Sequence, residues 1–379
     1  AIYGASIDDL KDVDKKIENL ETGINFKIKQ IKMFGLGKIK GKKQTVIGIS
    51  SLPKAFNLDD SLDEWDMSTA NILDVGFYNR KVGRQGITGP KDVIAYWKAA
   101  WDKSYLYFAV MVFDDDLSFE KQSPLFENDA VELWINNELL IFSFTPKGKI
   151  EVESYGNRVK DKIEVAGEIG DRPSPLHPDL KYYTAEIKVP FDYIQTAPET
   201  GKSFYFALGI DDVDKGEKPS QIFFPETYKH PRLNNPDAVI SKDFALAVLQ
   251  DDAILTATVL SSQIGNISKS DGTYTCVDLN LSLKSDKKVT GITGEILLSA
   301  KDAVHRFKLD IPSTIDGEWK TGSQLKLDTH DYYGDDAGVD LIIRAPNYYK
   351  KFVLREGKYK LSDLGYQSEL ELYDNKNEQ

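Results

Sequence analysis

A single cysteine, Cys276, occurs in 379 residues, so no disulfide can form within the chain and its stability must rest on packing. That thiol falls inside a predicted strand over 274–283 and reads as a small apolar side chain. Histidine is nearly as scarce. His177, His230, His305 and His330 lie far apart and show no zinc-binding spacing. No serine sits in a nucleophile elbow, and no local pattern singles out a carboxylate pair for glycoside hydrolysis, so a noncatalytic protein is expected. No stretch approaches the ~20 apolar residues of a membrane-spanning helix. The start, Ala1-Ile2-Tyr3-Gly4-Ala5, has neither an initiator Met nor a basic-then-apolar leader. The expectation drawn from it is a processed terminus and a secreted or cell-surface location.

Positive charge is also in deficit, with 48 Lys and Arg against 60 Asp and Glu for a net −12. Such a balance disfavours nucleic acid or an anionic membrane as the main partner. Calcium or a neutral polymer suits it better. What the chain does have is apolar and aromatic material, 41% and 11% of residues, ample for packed cores. Its length exceeds one ordinary sandwich, which predicts two domains and an extension.

The organising stretch is 96–137, which reads as two long strands joined by an acidic, aromatic loop. Leu106, Phe108, Val110 and Val112 alternate with Tyr105, Tyr107, Ala109 and Met111, so both faces are hydrophobic, as in a central sandwich strand. Val131, Leu133 and Ile135 alternate next, with Glu132, Trp134 and Asn136 on the other face. Glu132 is the anomaly, since an unpaired buried charge is very costly and this carboxylate must meet water, a donor or a metal. Further strands are predicted at 93–101, 105–113, 130–135, 139–145, 149–155, 163–167 and 182–189, with one helical turn near 190–194. The pattern is that of an antiparallel β-sandwich.

Five ordered motifs carry a resemblance. They are Leu62-Asp63-Glu64-Trp65, then Trp101-Asp102-Lys103-Ser104-Tyr105-Leu106-Tyr107 with Asp114, and Phe126-Glu127-Asn128-Asp129-Ala130-Val131-Glu132. Glu186-Ile187-Lys188-Val189-Pro190-Phe191 and Gly209-Ile210-Asp211-Asp212 follow. Together these resemble the carbohydrate-binding module family nine, over about residues 52–250. The resemblance implies a sugar site in which two aromatic rings clamp a chain-end sugar and a glutamate bonds its hydroxyls. Phe126 and Glu132 fall on the first aromatic and the glutamate; Tyr228 is the nearest substitute for the second, with Arg232 and Asn234 as further hydrogen bonders. The family's arginine on the next strand has no counterpart near Ser143 or Phe144. A relative of the fold carries haem on Met and Lys, which raises Met111 as a ligand, although Cys-x-x-Cys-His is absent and a lone Met usually belongs to a core. Trp65 and Trp101 are expected in the core, whereas Trp97 and Trp134 are left open between core and surface, an outward position implying a contact surface.

Carboxylates supply a separate hypothesis. Asp59, Asp60, Asp63, Asp114, Asp115 and Asp116 would gather around calcium if the first strand adjoins the end of the 105–113 strand. Asp211, Asp212 and Asp214 form a second group and Asp335, Asp336 and Asp340 a third. None has EF-hand spacing. From 251 onward about seven strands with regular turn signals suggest an immunoglobulin-like sandwich over 251–379. Residues 1–51 read as an extension, with an amphipathic helix on Ile7, Leu10, Val13, Ile17, Leu20 and Ile24 and a basic hairpin around Gly35 to Gly41. The leading expectation is a carbohydrate-binding protein aided by calcium. Its rival is a structural subunit of a surface layer or filament, a homo-oligomer self-assembling through residues 1–51 and the C-terminal sandwich.

Overall fold

In a computed structural model, the described residues are 44–52, 56–74, 87, 92–136, 138–155, 162–170, 177–214, 220–225, 244–269, 272–300, 303–321, 325–328 and 336–358. Contacts divide the chain into two compact units, Ala1–Gln44 and Thr45–Gln379. The expected helix and hairpin, and with them the assembly surface in residues 1–51, fall almost wholly in 1–43, outside the described residues.

The second unit is built from strands, in keeping with the expected all-β class. In chain order they are β1 (Val46–Ser51), β2 (Asn71–Asp74), β3 (Val93–Trp101), β4 (Tyr105–Asp114), β5 (Ala130–Ile135), β6 (Glu138–Phe144), β7 (Ile150–Tyr155), β8 (Glu164–Ala166), β9 (Lys181–Pro190), β10 (Ser203–Asp212), β11 (Ser220–Phe224) and β12 (Ala245–Gln250). These join in one sheet, ordered β7-β6-β5-β10-β12-β1-β3-β4-β9-β8, with β11 on β10 and β2 on β3. Only β1 pairs in parallel on both sides, with β12 and with β3. Sequence reasoning left β1 in the extension, because the short run Val46-Ile47-Gly48-Ile49-Ser50-Ser51 has little to distinguish it; pairing puts it in the middle of the sheet. One helical turn, α1 (Phe191–Ile194), follows β9 and closes on Gln195 in the left-handed region.

Period-two alternation positions three apolar layers. Phe108, Val110, Val112, Val131, Leu133, Ile187 and Phe206 meet in the central core. The outer face of β3 and β4 packs Tyr96, Tyr107, Ala109 and Met111 against Leu62, Trp65 and Met67. That of β5, β6 and β10 packs Ala130, Trp134, Ile141 and Ala207 against Leu125, Phe223 and Phe244. Trp97 is therefore not a surface residue: it is fully buried in the central core, ringed by Phe206 and Phe224 at 5.3 and 5.2 Å. Met111 belongs to the outer layer on β4, the packing role expected of a lone methionine.

The remaining strands are β13 (Leu255–Lys269), β14 (Gly272–Ser285), β15 (Val289–Thr290), β16 (Thr293–Ala300), β17 (Ala303–Lys308), β18 (Thr314–Ile315), β19 (Glu318–Lys320), β20 (Leu325–Asp328), β21 (Gly338–Ala345) and β22 (Tyr348–Arg355). One sheet runs β13-β14-β19 with β20 on β14, and another β17-β16-β21-β22. Leu255, Val277, Leu279, Leu281, Ile296, Leu298, Leu341 and Ile343 form the core they share. This part is joined to the first by close backbone approach. A side chain at Gly48 would strike the Thr290 carbonyl, Gln250 Oε1 accepts from the Thr290 amide at 2.8 Å, and Arg344 donates to the Ala70 carbonyl at 3.0 Å.

Candidate functional site

Strands β5 and β10 hold two groups of polar side chains, one on their outer face and one at their ends. On the outer face Glu132 stands between Ala130 and Trp134, in register with Gly209 on one side and Ile141 on the other. It is 0% exposed, and its Oε1 accepts from Gln221 Nε2 at 3.1 Å. The same amide group hydrogen-bonds Asp211. Glu132, expected to bond sugar hydroxyls, is instead enclosed: the Phe223 ring lies against the adjoining Gly209, and one carboxylate oxygen takes the Gln221 amide, a donor of the kind its in-strand position required. Trp134, whose position the sequence left open, is likewise buried, with Phe244 at 5.8 Å.

Phe126 emerges at the rim of this face. It sits in a 3-10 turn over Leu125–Glu127, half-buried, with Tyr155 of β7 at 6.4 Å. Tyr155 is 41% exposed. Between them Glu153 accepts from Ser123 Oγ at 2.6 Å, the Leu125 amide at 3.0 Å and Tyr155 Oη at 2.8 Å, so its carboxylate is fixed in position. Two aromatic rings beside an oriented carboxylate suit a sugar, whose C–H faces stack and whose hydroxyls donate. Glu153 and Tyr155 were missed in the sequence, although the alternation Ile150-Glu151-Val152-Glu153-Ser154-Tyr155 puts both on one face. Tyr228, Arg232 and Asn234 lie outside the described residues.

The second group lies at the strand ends. Asp114, Asp129 and Asp212 form a buried triad, and Asp92, Asp115 and Asp214 a more exposed one; within each, one carboxylate oxygen from every residue lies within 4.8 Å of the other two. Asp129 accepts from the Ser118 amide at 2.5 Å and the Val213 amide at 2.8 Å, and Asp114 Oδ1 from the Asp116 amide at 2.8 Å. Asp114 Oδ2 and Asp212 Oδ1 have no hydrogen-bond partner among the described residues. Burial, reinforced by the neighbouring Asp115, Asp214 and Asp92, pushes Asp114 up to about 7. Asp212 is pushed up to about 8 by burial, then by Asp114 and Asp214. Burial and Asp114 also raise Asp129 well above the ordinary carboxylate range.

These residues fit a hard divalent cation. Calcium takes oxygens at ~2.3–2.6 Å, so oxygens across one ion stand up to ~5 Å apart, and the two orphaned buried oxygens are the donors it would use. The predicted set is redrawn by the fold. Asp114 and Asp115 join the triads, but exposed Asp60 and Asp63 join neither, and Asp116 is engaged by Lys181 at 3.1 Å. Asp59, beside Asp60, instead gives its amide to Glu186 at 3.0 Å, which also takes the Trp65 indole N–H at 2.8 Å and anchors the loop over β9. The sequence groups 114–116 and 211–214, treated apart, converge because β4 and β10 deliver them to one end of the sandwich.

Residues 79–168 match the family described as carbohydrate family 9 binding domain-like. Among solved structures, a family 9 carbohydrate-binding module from Caldicellulosiruptor kristjanssonii in complex with glucose is similar at 16% identity, over 54% of this chain and 96% of that one, with a TM-score of 0.39. The same organism's module in complex with cellotriose matches at 16% identity, over 54% and 94%, with a TM-score of 0.39. Comparison with curated proteins gives no match.

Proposed function

We propose that the protein is a noncatalytic carbohydrate-binding protein, acting outside the cytoplasm, whose first sandwich binds a glycan on the rim formed by Phe126, Glu153 and Tyr155. The supporting observation is that the matched segment, 79–168, contains all three residues and Glu132. Phe126 and Tyr155 supply the stacking faces, and Glu153, held by three donors, keeps its orientation before ligand arrives. Glu132 acts from beneath, fixing Gln221 and Asp211. Calcium bound between Asp114, Asp129 and Asp212 would brace the ends of β4, β5 and β10, on which this face is built.

The test is isothermal titration against soluble gluco- and xylo-oligosaccharides, followed by Phe126→Ala and Tyr155→Ala. Loss of one stacking ring is expected to weaken binding about tenfold, near 1.4 kcal/mol. Binding unchanged in both variants would remove the rim from consideration, and no heat with any glycan would overturn the reading.

A further inference from the structure

We propose that the exposed edge of β13 pairs with the same edge of a second copy of this chain, forming an antiparallel two-fold strand addition. β13 runs for 15 residues and, among the described strands, pairs only with β14, so every second residue turns its N–H and C=O away from that partner. Near its start this edge is closed, because the Ala257 amide donates to Tyr348 Oη at 2.9 Å. Beyond it a bulge between Val259 and Ser261 redirects the strand, with Asn280 Nδ2 donating to Ser261 Oγ at 2.8 Å. From there Leu260, 55% exposed, and Ser261, Ser262, Gln263 and Gly265 face solvent.

Charge identifies the occupant. In an antiparallel pair about a two-fold axis, a segment meets itself, and each charge on it confronts a like charge. Several other edges carry charge that such a pairing would oppose. β7 carries Glu151 and Glu153, β8 Glu164, and β22 Lys350, Lys351 and Arg355. β11 is uncharged but buried at every residue. The run 255–268, Leu-Thr-Ala-Thr-Val-Leu-Ser-Ser-Gln-Ile-Gly-Asn-Ile-Ser, has neither a charge nor a proline. An unguarded edge on a molecule of net charge −12 is compatible with its own copy, because the contact itself adds no repulsion.

Sedimentation velocity of the full chain over a concentration series, at low and high salt, tests this. A monomer–dimer equilibrium is expected that strengthens with salt, since the acidic bodies repel while the strands join through backbone and apolar contacts. Leu260→Lys with Ser262→Lys should leave the far-UV circular dichroism spectrum unchanged and abolish the dimer. Hydrogen exchange at 260–265 should slow in the wild-type dimer. A chain that stays monomeric at every concentration overturns the proposal. So does a dimer unaffected by the two lysines, a dimer that weakens with salt, or one without protection at 260–265.

Discussion

The two parts of Thr45–Gln379 treat buried charge differently. In the first, Asp114, Asp129, Asp212, Glu132, Glu186 and Asp211 are all buried, and hydrogen bonds to amides and indole satisfy only some of their oxygens. In the second, Glu295 is buried beside Arg306 at 3.2 Å, an acid already matched by a base. One part carries surplus negative charge that a cation would relieve; the other sets its buried acid against a base, and its buried Arg344 donates to the Ala70 carbonyl. Chemistry therefore concentrates where charge is left over, which is a physical reason to seek the ligand in the first part and assembly in the second.

The sharpest way to break this contrast is pH with and without calcium. A carboxylate displaced upward by one pH unit costs the charged native state ~1.4 kcal/mol, and Asp114 and Asp212 rise from 3.8 to about 7 and about 8. Both are raised above their unfolded values, so the stability they contribute is complete below pH 3.8 and is lost as pH climbs through 7 and 8. In chelator the melting temperature should thus fall steadily from pH 5 to 8.5, by roughly 5–10 °C. Calcium should remove most of that slope, and Asp114→Asn with Asp212→Asn should flatten it without calcium. A chelated protein whose melting temperature is level across this range would show that the triads do not carry the charge assigned to them.

The second part should respond to loss of a partner rather than to cations. Arg306→Met strands Glu295 in the interior, and truncating one side of a buried pair costs about 3–5 kcal/mol. Replacing both, Arg306→Met with Glu295→Leu, should restore the urea midpoint to near wild type. Calcium should leave both variants' deficits unchanged. If the single substitution is silent, the pair is solvated and the contrast fails.

Strands with strict alternation were legible in the sequence. β3 and β5 have the predicted bounds, since Val131, Leu133 and Ile135 can face one core only in one register. Strands defined by partners rather than pattern were not: β1 and β12 are short and pair with each other across some 200 residues of sequence. Side-chain environment was the least legible. Glu132 called for water, a donor or a metal, and the donor that meets it, Gln221, lies 89 residues away. Trp97 was left open and is core; Lys98, the one charge in β3, falls on the opposite face of the strand. The acidic group was visible as local runs, but Asp92 and Asp129 join it only through folding.

Asp116 gives the smallest effect and the finest control on the comparison. It lies two residues from Asp114 and carries the same charge, but half its side chain is exposed and Lys181 already meets it. An exposed pair of this kind is worth about 0–1 kcal/mol, because water screens both ions and two flexible side chains must be ordered. Asp116→Asn should therefore shift the melting temperature by about 1 °C or less and leave calcium affinity within about twofold. Asp114→Asn should abolish calcium stabilisation at pH 8. Calcium titrations followed by thermal melting compare the two directly. If proximity in sequence governed the site, the two variants would behave alike; burial and an unmatched oxygen predict that they differ.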